Sequence, residues 1–225
     1  MSFAVLIPAG GSSVRFGANK LLAMLRGRTV LTRSIEAFID RDDVSRVIVA
    51  STHTPVETKH PKLHVCPGGA CRAESVRRAL QEVPTDVEFV AVHDAARPLV
   101  SAELISRVFE SARQHGAAGP AMPVALTIKR AATSLPAPVE QTVPRANLWA
   151  MQTPQVMRRA DLLAAYERCP IPLEQVTDDL QLLELAGMPS MLVAGEERNL
   201  KVTTPMDLLL AAMLLQSPPP LAGEG

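Results

Sequence analysis

The sequence has little with which to stack on or neutralise a nucleic acid. It carries five Phe, one Trp and one Tyr in 225 residues, and its 23 Lys+Arg are balanced by 23 Asp+Glu. A nucleic-acid binder needs a basic footprint and usually aromatic platforms, so that class is excluded. Cysteine is also scarce. Cys66, Cys71 and Cys169 are odd in number and lack the CxxC pairs of a zinc site, so they read as reduced thiols of a cytoplasmic protein. Long apolar runs are missing too: the opening stretch Phe3 to Ile7 has no basic residue before it and breaks at Pro8-Ala9-Gly10-Gly11. It reads as neither a signal peptide nor a membrane span. What is present is 47% apolar residues, enough to fill a core. The length suits one α/β domain, assigned to residues 1–216, with a Pro/Gly-rich tail at 217–225 that has no periodic face and is expected to be disordered.

Short apolar runs alternate with segments of helical period, the pattern of a sheet flanked by helices. Ala4 to Ile7, Arg46 to Ala50, His64 to Cys66 and Phe89 to Val92 read as buried parallel strands. Ala73, Val76, Leu80 and Val83 mark one amphipathic helix. Leu104, Ile105, Val108, Phe109 and Ala112 mark a second, with Gly116 as its stop. Thr204-Pro205-Met206-Asp207 supplies a capping hydroxyl, an N1 proline and an early acid for a closing helix. Between these, Thr127 to Val143 holds Thr and Val on either side of Ser134-Leu135-Pro136-Ala137-Pro138 and reads as a projecting β-hairpin, an arm spanning about 126–146. Such an arm lacks a core of its own. The expected cover is a second copy of the chain.

Three loops at the ends of these strands carry candidate chemistry. Pro8 to Lys20 brings Gly10, Gly11 and two serines to the end of a buried strand, where backbone N–H groups can approach an anion, and it adds the cations Arg15 and Lys20. It is neither a Walker loop nor GxGxxG; a fork of Arg and Lys suits a triphosphate, while an ordinary turn with solvated charges is the alternative. Gly68-Gly69 precedes Arg72-Ala73-Glu74-Ser75 at a helix start, where backbone and the Ser75 hydroxyl could read a base edge, or merely form a turn. His93-Asp94-Ala95-Ala96-Arg97-Pro98 places a carboxylate on the edge where open α/β sheets bind ligands. Asp94 there could hold a hard dication or a substrate hydroxyl, or brace a loop with Arg97; His93 is assigned to packing. Thr177-Asp178-Asp179 reads as a helix start whose acids complement the helix dipole, and Asn199-Leu200-Lys201 lies near a late strand.

Taken in order, these motifs, together with TVPRANLWAMQTP from Thr142 to Pro154 and Asn199 to Thr203, resemble the 2-C-methyl-D-erythritol 4-phosphate cytidylyltransferases of the non-mevalonate isoprenoid pathway. The resemblance runs from about Phe3 to Leu215 and implies a Rossmann-like nucleotidyltransferase fold, with a mostly parallel sheet flanked by helices. It implies transfer of CMP from CTP to methylerythritol phosphate, releasing pyrophosphate, with Mg²⁺; the reduced thiols and the uncovered arm make the expected enzyme a cytoplasmic homodimer joined through that arm. Arg15 and Lys20 then fall on transition-state stabilisers, and Arg145 and Lys201 on residues that position the acceptor phosphate. Pro8, Ala9, Gly10, Gly11, Gly68, Gly69, Ser75, Asp94 and Ala95 fall on the nucleotide site. Asp94, Arg97, Thr127, Arg145, Thr153 and Lys201 fall on the acceptor site; the metal would ride mainly on the CTP phosphates, with Asp94 as a candidate contact. Asn19 and Leu21 stand where the family usually has Pro and Gln, Ala70 where it often has Asp, and Leu126 where an Asp commonly precedes the arm threonine. Ribitol- or glycerol-phosphate cytidylyltransferases and a non-catalytic nucleotide sensor are the rival readings. Length argues against a fused cyclodiphosphate synthase.

Overall fold

The computed structural model describes residues 2–10, 16 and 19–216. Gly11, Arg15 and the tail 217–225 therefore lie outside the described residues. The first half of the chain runs β1 (Phe3–Pro8), a single 3-10 turn (Lys20–Leu22), the short pair β2 (Met24–Leu25) and β3 (Arg28–Thr29), α1 (Val30–Ile39), β4 (Val44–Ala50), β5 (Leu63–Cys66), α2 (Arg72–Gln81), β6 (Phe89–Val92) and α3 (Ala102–His115). The second half runs β7 (Ala117–Pro123), β8 (Ile128–Ala131), β9 (Val139–Val143), β10 (Trp149–Met151), β11 (Gln155–Arg158), α4 (Arg159–Glu167), α5 (Asp179–Leu185), β12 (Met191–Ala194) and α6 (Pro205–Leu214).

The main sheet has eight strands, in the order β5-β4-β1-β6-β11-β7 with β10 and β12 also paired to β7. Strand β1 is parallel to β4 and β6, β4 to β5, and β12 to β7, whereas β11 and β10 run against their neighbours. Alternation along β1 splits the core into two layers. Phe3, Val5 and Ile7 pack with side chains of α1, α3 and α6, while Ala4 and Leu6 pack with those of α2, α4 and α5. Phe3, Phe38, Phe89 and Phe109 are fully buried, and Phe3 stacks on Phe109 with ring centroids 3.9 Å apart. Those rings serve the core.

The strands and helices expected from periodicity are present, with differences that have local causes. Helix α2 ends at Gln81 with Glu82 as its cap, so Val83 lies in the following turn. Pro84 explains this, because the residue before a proline avoids the helical region. Gly116 ends α3 at φ 91°, where a side chain would be strained and would meet Arg158. Strand β7, Ala-Ala-Gly-Pro-Ala-Met-Pro, escaped the sequence reading because glycine and proline argue against a strand interior.

The arm is β8 paired antiparallel with β9 as a separate two-stranded sheet. Leu126 and Leu135 are 77% and 82% exposed there, and Val139 is exposed as well. No helix among the described residues is long and apolar enough to cross a membrane.

Helix α6 carries the expected start as a reciprocal box: the Thr204 hydroxyl accepts from Asp207 N, and the Asp207 carboxylate accepts from the N–H groups of Thr204 and Thr203 at 2.7 and 2.8 Å. Thr204→Ala removes one half of it, an expected loss of about 1 kcal/mol. Thermal unfolding should show a midpoint lower by roughly 2–4 °C at this chain length. An unchanged midpoint would place α6 outside the cooperative unit.

Candidate functional site

The strands β1, β5 and β6 deliver their following loops to one edge of the sheet, the edge where open α/β sheets hold ligands. Three adjoining clefts open there. Pro8, Gly10, Gly69, Ala70, Cys71, Arg72 and Ser75 line one of about 310 Å³. Pro8, Lys20, Leu21, Arg72, Asp94, Ala95, Ala96 and Lys201 line a central one of about 130 Å³. The third, about 270 Å³, is bounded by Arg72, Asp94, Arg97, Met151, Gln152, Thr153, Gln155, Thr177, Asp178 and Lys201. Arg72 belongs to all three.

The glycine-lined cleft is tied by its own hydrogen bonds. Gly69 N donates to Ser75 Oγ at 2.9 Å, and that hydroxyl donates to Cys71 O at 3.0 Å. A Cβ on Gly69 would sit 2.5–2.8 Å from three Glu74 atoms, so no side chain fits without moving the helix start. Arg78 Nη1 donates to Gly68 O at 2.7 Å, and Ala70 N donates to Glu74 Oε2 at 2.7 Å. Ala9 continues the sheet instead of facing the cleft: its N–H donates to Ala50 O, and its carbonyl accepts from Thr54 Oγ1. Thr54 Oγ1 also accepts from Asn19 Nδ2 at 3.0 Å, while Asn19 Oδ1 caps the 3-10 turn by accepting from Leu21 N. That clasp fixes the turn that begins at Lys20.

The other two clefts converge on Asp94. Its carboxylate meets Lys201 Nζ at 2.8 Å, Arg72 Nε at 3.1 Å and Arg97 Nε at 3.7 Å. Burial pushes this carboxyl up, but the three cations outweigh it and hold it well below the ordinary carboxylate value. Arg97 is braced in turn, donating to Asn199 O at 2.7 Å and Met151 O at 3.2 Å. Asn199 Nδ2 donates to Thr153 O and Gln152 Oε1, which links the late loop to the break between β10 and β11. His93 does more than pack. Asp94 N donates to Thr153 Oγ1, leaving that hydroxyl to donate to His93 Nδ1 at 3.2 Å, so Nε2 carries the proton given to Arg97 O at 3.1 Å.

The structure therefore brings Pro8, Gly10, Lys20, Gly69, Ser75, Asp94, Ala95, Arg97, Thr153 and Lys201 to one edge. Thr127 and Arg145 line none of these clefts; they belong to the arm, where Arg145 Nη1 donates to Ala125 O. Sequence reasoning missed Arg72, Gln155 and Asp179. Asp178 is the helix cap, accepting from Gln181 N, but Asp179 is fully buried with its Oδ2 2.8 Å from Arg72 Nη1. Gln155 Oε1 accepts from Asp179 N and Leu180 N, and its Nε2 donates to Asp178. A cation at the start of α2, against the helix dipole, was the available signal for Arg72.

A family model described as IspD, 2-C-methyl-D-erythritol 4-phosphate cytidylyltransferase, matches residues 3–217. A bifunctional enzyme IspD/IspF of Desulfotalea psychrophila is 40% identical over 95% of this chain and 56% of its own length, so the chain spans little more than half of that relative. A 2-C-methyl-D-erythritol 4-phosphate cytidylyltransferase of Frankia casuarinae is 41% identical, covering 94% of this chain and 80% of that one. Among solved structures, that of the cytidylyltransferase from Thermus thermophilus aligns with TM-score 0.80 and 36% identity over 96% of this chain and 100% of its own. The Francisella tularensis structure aligns with TM-score 0.84 and 31% identity, over 95% and 99%.

Burial lowers the His93 pKa from 6.5 to about 4, a shift that its bond to Arg97 O does not reverse. The folded chain thus holds the ring neutral while the unfolded chain protonates it below 6.5. Stability from this group is complete above pH 6.5, falls as pH drops from 6.5 to about 4, and levels below that. Urea titrations of His93→Gln against the parent should show the variant with the flatter pH dependence in that interval. Parallel profiles would mean that His93 is not held neutral.

Proposed function

Because the chain belongs to the 2-C-methyl-D-erythritol 4-phosphate cytidylyltransferase family, we propose that it transfers CMP from CTP to 2-C-methyl-D-erythritol 4-phosphate. The products are 4-diphosphocytidyl-2-C-methyl-D-erythritol and pyrophosphate. The observation that carries the reading is the adjacency of a glycine-lined cleft and a cation-ringed carboxylate cleft, joined at Arg72. The first can offer a cytidine the backbone near Gly10 and the lone pair left on Ser75 Oγ, since the Gly69 N–H and the Ser75 proton are already paired within the loop. The second has Asp94 and Thr153 for the polyol and Lys201 for its phosphate.

An oxygen of the acceptor phosphate attacks the α-phosphorus of CTP; that P–O bond forms as the bond to the leaving pyrophosphate breaks. The nucleophile is already an anion, so no general base is required. His93, buried with both ring nitrogens engaged, is suited to holding Thr153 and Arg97 in place. Catalysis becomes positioning and charge neutralisation. Lys20 lines the central cleft with Asp94 and Lys201, on the path between the two substrates. Arg15, outside the described residues, joins it in this proposal.

The donor set does not build a protein cage for Mg²⁺. The described residues hold no group of three or more His, Cys, Asp or Glu side chains suited to a metal, and Asp94 faces three cations that would repel a dication. Magnesium in this proposal therefore arrives with the triphosphate, and no step is assigned to it. The free thiols of Cys66, Cys71 and Cys169 fit a reducing, cytoplasmic setting.

The arm supports a homodimer. Its exposed Leu126, Leu135 and Val139 need cover, and Thr127 and Arg145 stand away from the chain's own clefts. In the proposed dimer they complete the acceptor site of the neighbour, where a guanidinium can grip a phosphate with two parallel bonds.

Two experiments test this function. Pyrophosphate release should be fast with CTP and methylerythritol phosphate, and lower by orders of magnitude with UTP or with ribitol phosphate, because unpaired polar groups reject the wrong base. Comparable rates with either replacement overturn the reading. Arg145→Ala and Lys20→Ala chains should each lose roughly a hundredfold or more in turnover. Mixed after subunit exchange, they should regain roughly a quarter of parental turnover, since half of the dimers are mixed and each has one complete site. A mixture that stays inactive places both groups in one subunit.

A further inference from the structure

Thr54 lies in the loop after β4 and lines none of the three clefts, yet it is buried and its hydroxyl makes two bonds. Oγ1 meets Asn19 Nδ2 at 3.0 Å and Ala9 O at 3.1 Å. An amide nitrogen only donates and a carbonyl oxygen only accepts, so the hydroxyl accepts from Asn19 and gives its one proton to Ala9. Thr54 itself is tied down. Its N–H donates to Ser51 Oγ at 3.0 Å, that hydroxyl donates to Thr54 O at 2.7 Å, and Ser51 N donates to Cys66 O at the end of β5. A turn anchored on the sheet therefore presents one hydroxyl to two partners.

Those partners are the two ends of one segment. Ala9 follows β1 directly and Asn19 stands immediately before Lys20, so residues 10–18 are closed at both ends on the same oxygen atom. Asn19 carries the tie onward, because its Oδ1 accepts from Leu21 N at 3.2 Å, on the far side of Lys20. The Lys20 backbone is thus held through the residue before it and the residue after it, and its side chain lines the central cleft with Asp94 and Lys201. A cation that meets charge developing in a transition state is most effective when it is placed beforehand, and a misplacement of about 1 Å can cost about a hundredfold in rate. Closing the segment on a buried hydroxyl meets in advance the entropy cost of bringing its ends together.

We propose that Thr54 is a positioning residue that acts through Asn19: its hydroxyl joins the two ends of segment 10–18 and so sets where Lys20 enters the cleft. This deepens the functional reading above and rests on it for the role of Lys20.

The test is steady-state kinetics of Thr54→Val, Thr54→Ser, Asn19→Ala and Asn19→Ala combined with Lys20→Ala, with turnover counted per CTP-binding site. Valine keeps the shape of Thr54 and removes the hydroxyl; serine keeps the hydroxyl. Thr54→Val and Asn19→Ala should each lower kcat and kcat/KM about tenfold, a smaller loss than that of Lys20→Ala, because the lysine is misplaced and not removed. Thr54→Ser should stay within about threefold of the parent. Once Lys20 is gone nothing is left to place, so adding Asn19→Ala to Lys20→Ala should cost less than about a further twofold. A serine variant as slow as the valine one, parental turnover in Asn19→Ala, or losses that multiply with Lys20→Ala each overturn the proposal. So does the pattern of a merely structural threonine, a lower melting temperature and fewer binding sites with turnover per site intact. Should Thr54→Val fail to fold, Asn19→Ala and its combination with Lys20→Ala decide. Parental turnover is the control for the functional reading. If the parent transfers no CMP, amide hydrogen exchange at Leu21 decides: its N–H should exchange faster in Thr54→Val, which alters neither atom of the Leu21–Asn19 bond, and an unchanged rate rejects the tie.

Discussion

A carboxylate buried among cations constrains the whole carboxyl edge of this sheet. Asp94 can stay ionised inside the fold because Lys201, Arg72 and Arg97 surround it, and each of those cations must itself be held. Arg97 is held by the carbonyls of Met151 and Asn199, Arg72 by Asp179, and the Asp94 backbone by Thr153. The demands of one charge therefore recruit α2, α5, the break between β10 and β11, and the loop before α6. That arrangement gathers positive charge at the edge, as the proposed transfer between two phosphate-bearing substrates requires.

The sheet supplies the rigidity this requires. Strands β1, β4 and β6 are apolar on both faces, with one layer of helices on each side, so the loops at their ends emerge from well-packed positions. The arm is the reverse case. It has no second layer and little apolar cover, and its functional candidates Thr127 and Arg145 cannot be positioned by the chain's own core.

What could be read in the sequence was whatever depends on neighbours along the chain. Gly68-Gly69, the Asp94 loop and the α6 box are local patterns, and each stands where the pattern put it. The pair of Arg72 with Asp179 joins residues more than a hundred positions apart; nothing near Asp179 distinguishes a buried ion pair from the helix-dipole acid that it resembles. Ala9 misled for a related reason. Its place in a glycine loop suggested an open backbone, but Ala50 and Thr54, from the next strand and its loop, occupy both polar groups. Strand β7 was hidden by proline and glycine that tertiary pairing tolerates.

The scarcity of aromatic residues has an optical consequence. Four phenylalanines are sealed in the core and the Tyr166 hydroxyl is bonded to Ala73 O, leaving Trp149 as the chain's one indole. It lies half-exposed on β10, between the arm and the turn that carries Thr153. The unlabelled protein therefore contains a single indole fluorophore at the joint between the arm and the cleft around Asp94, and the colour of its emission reports whether water or another surface lies against that joint.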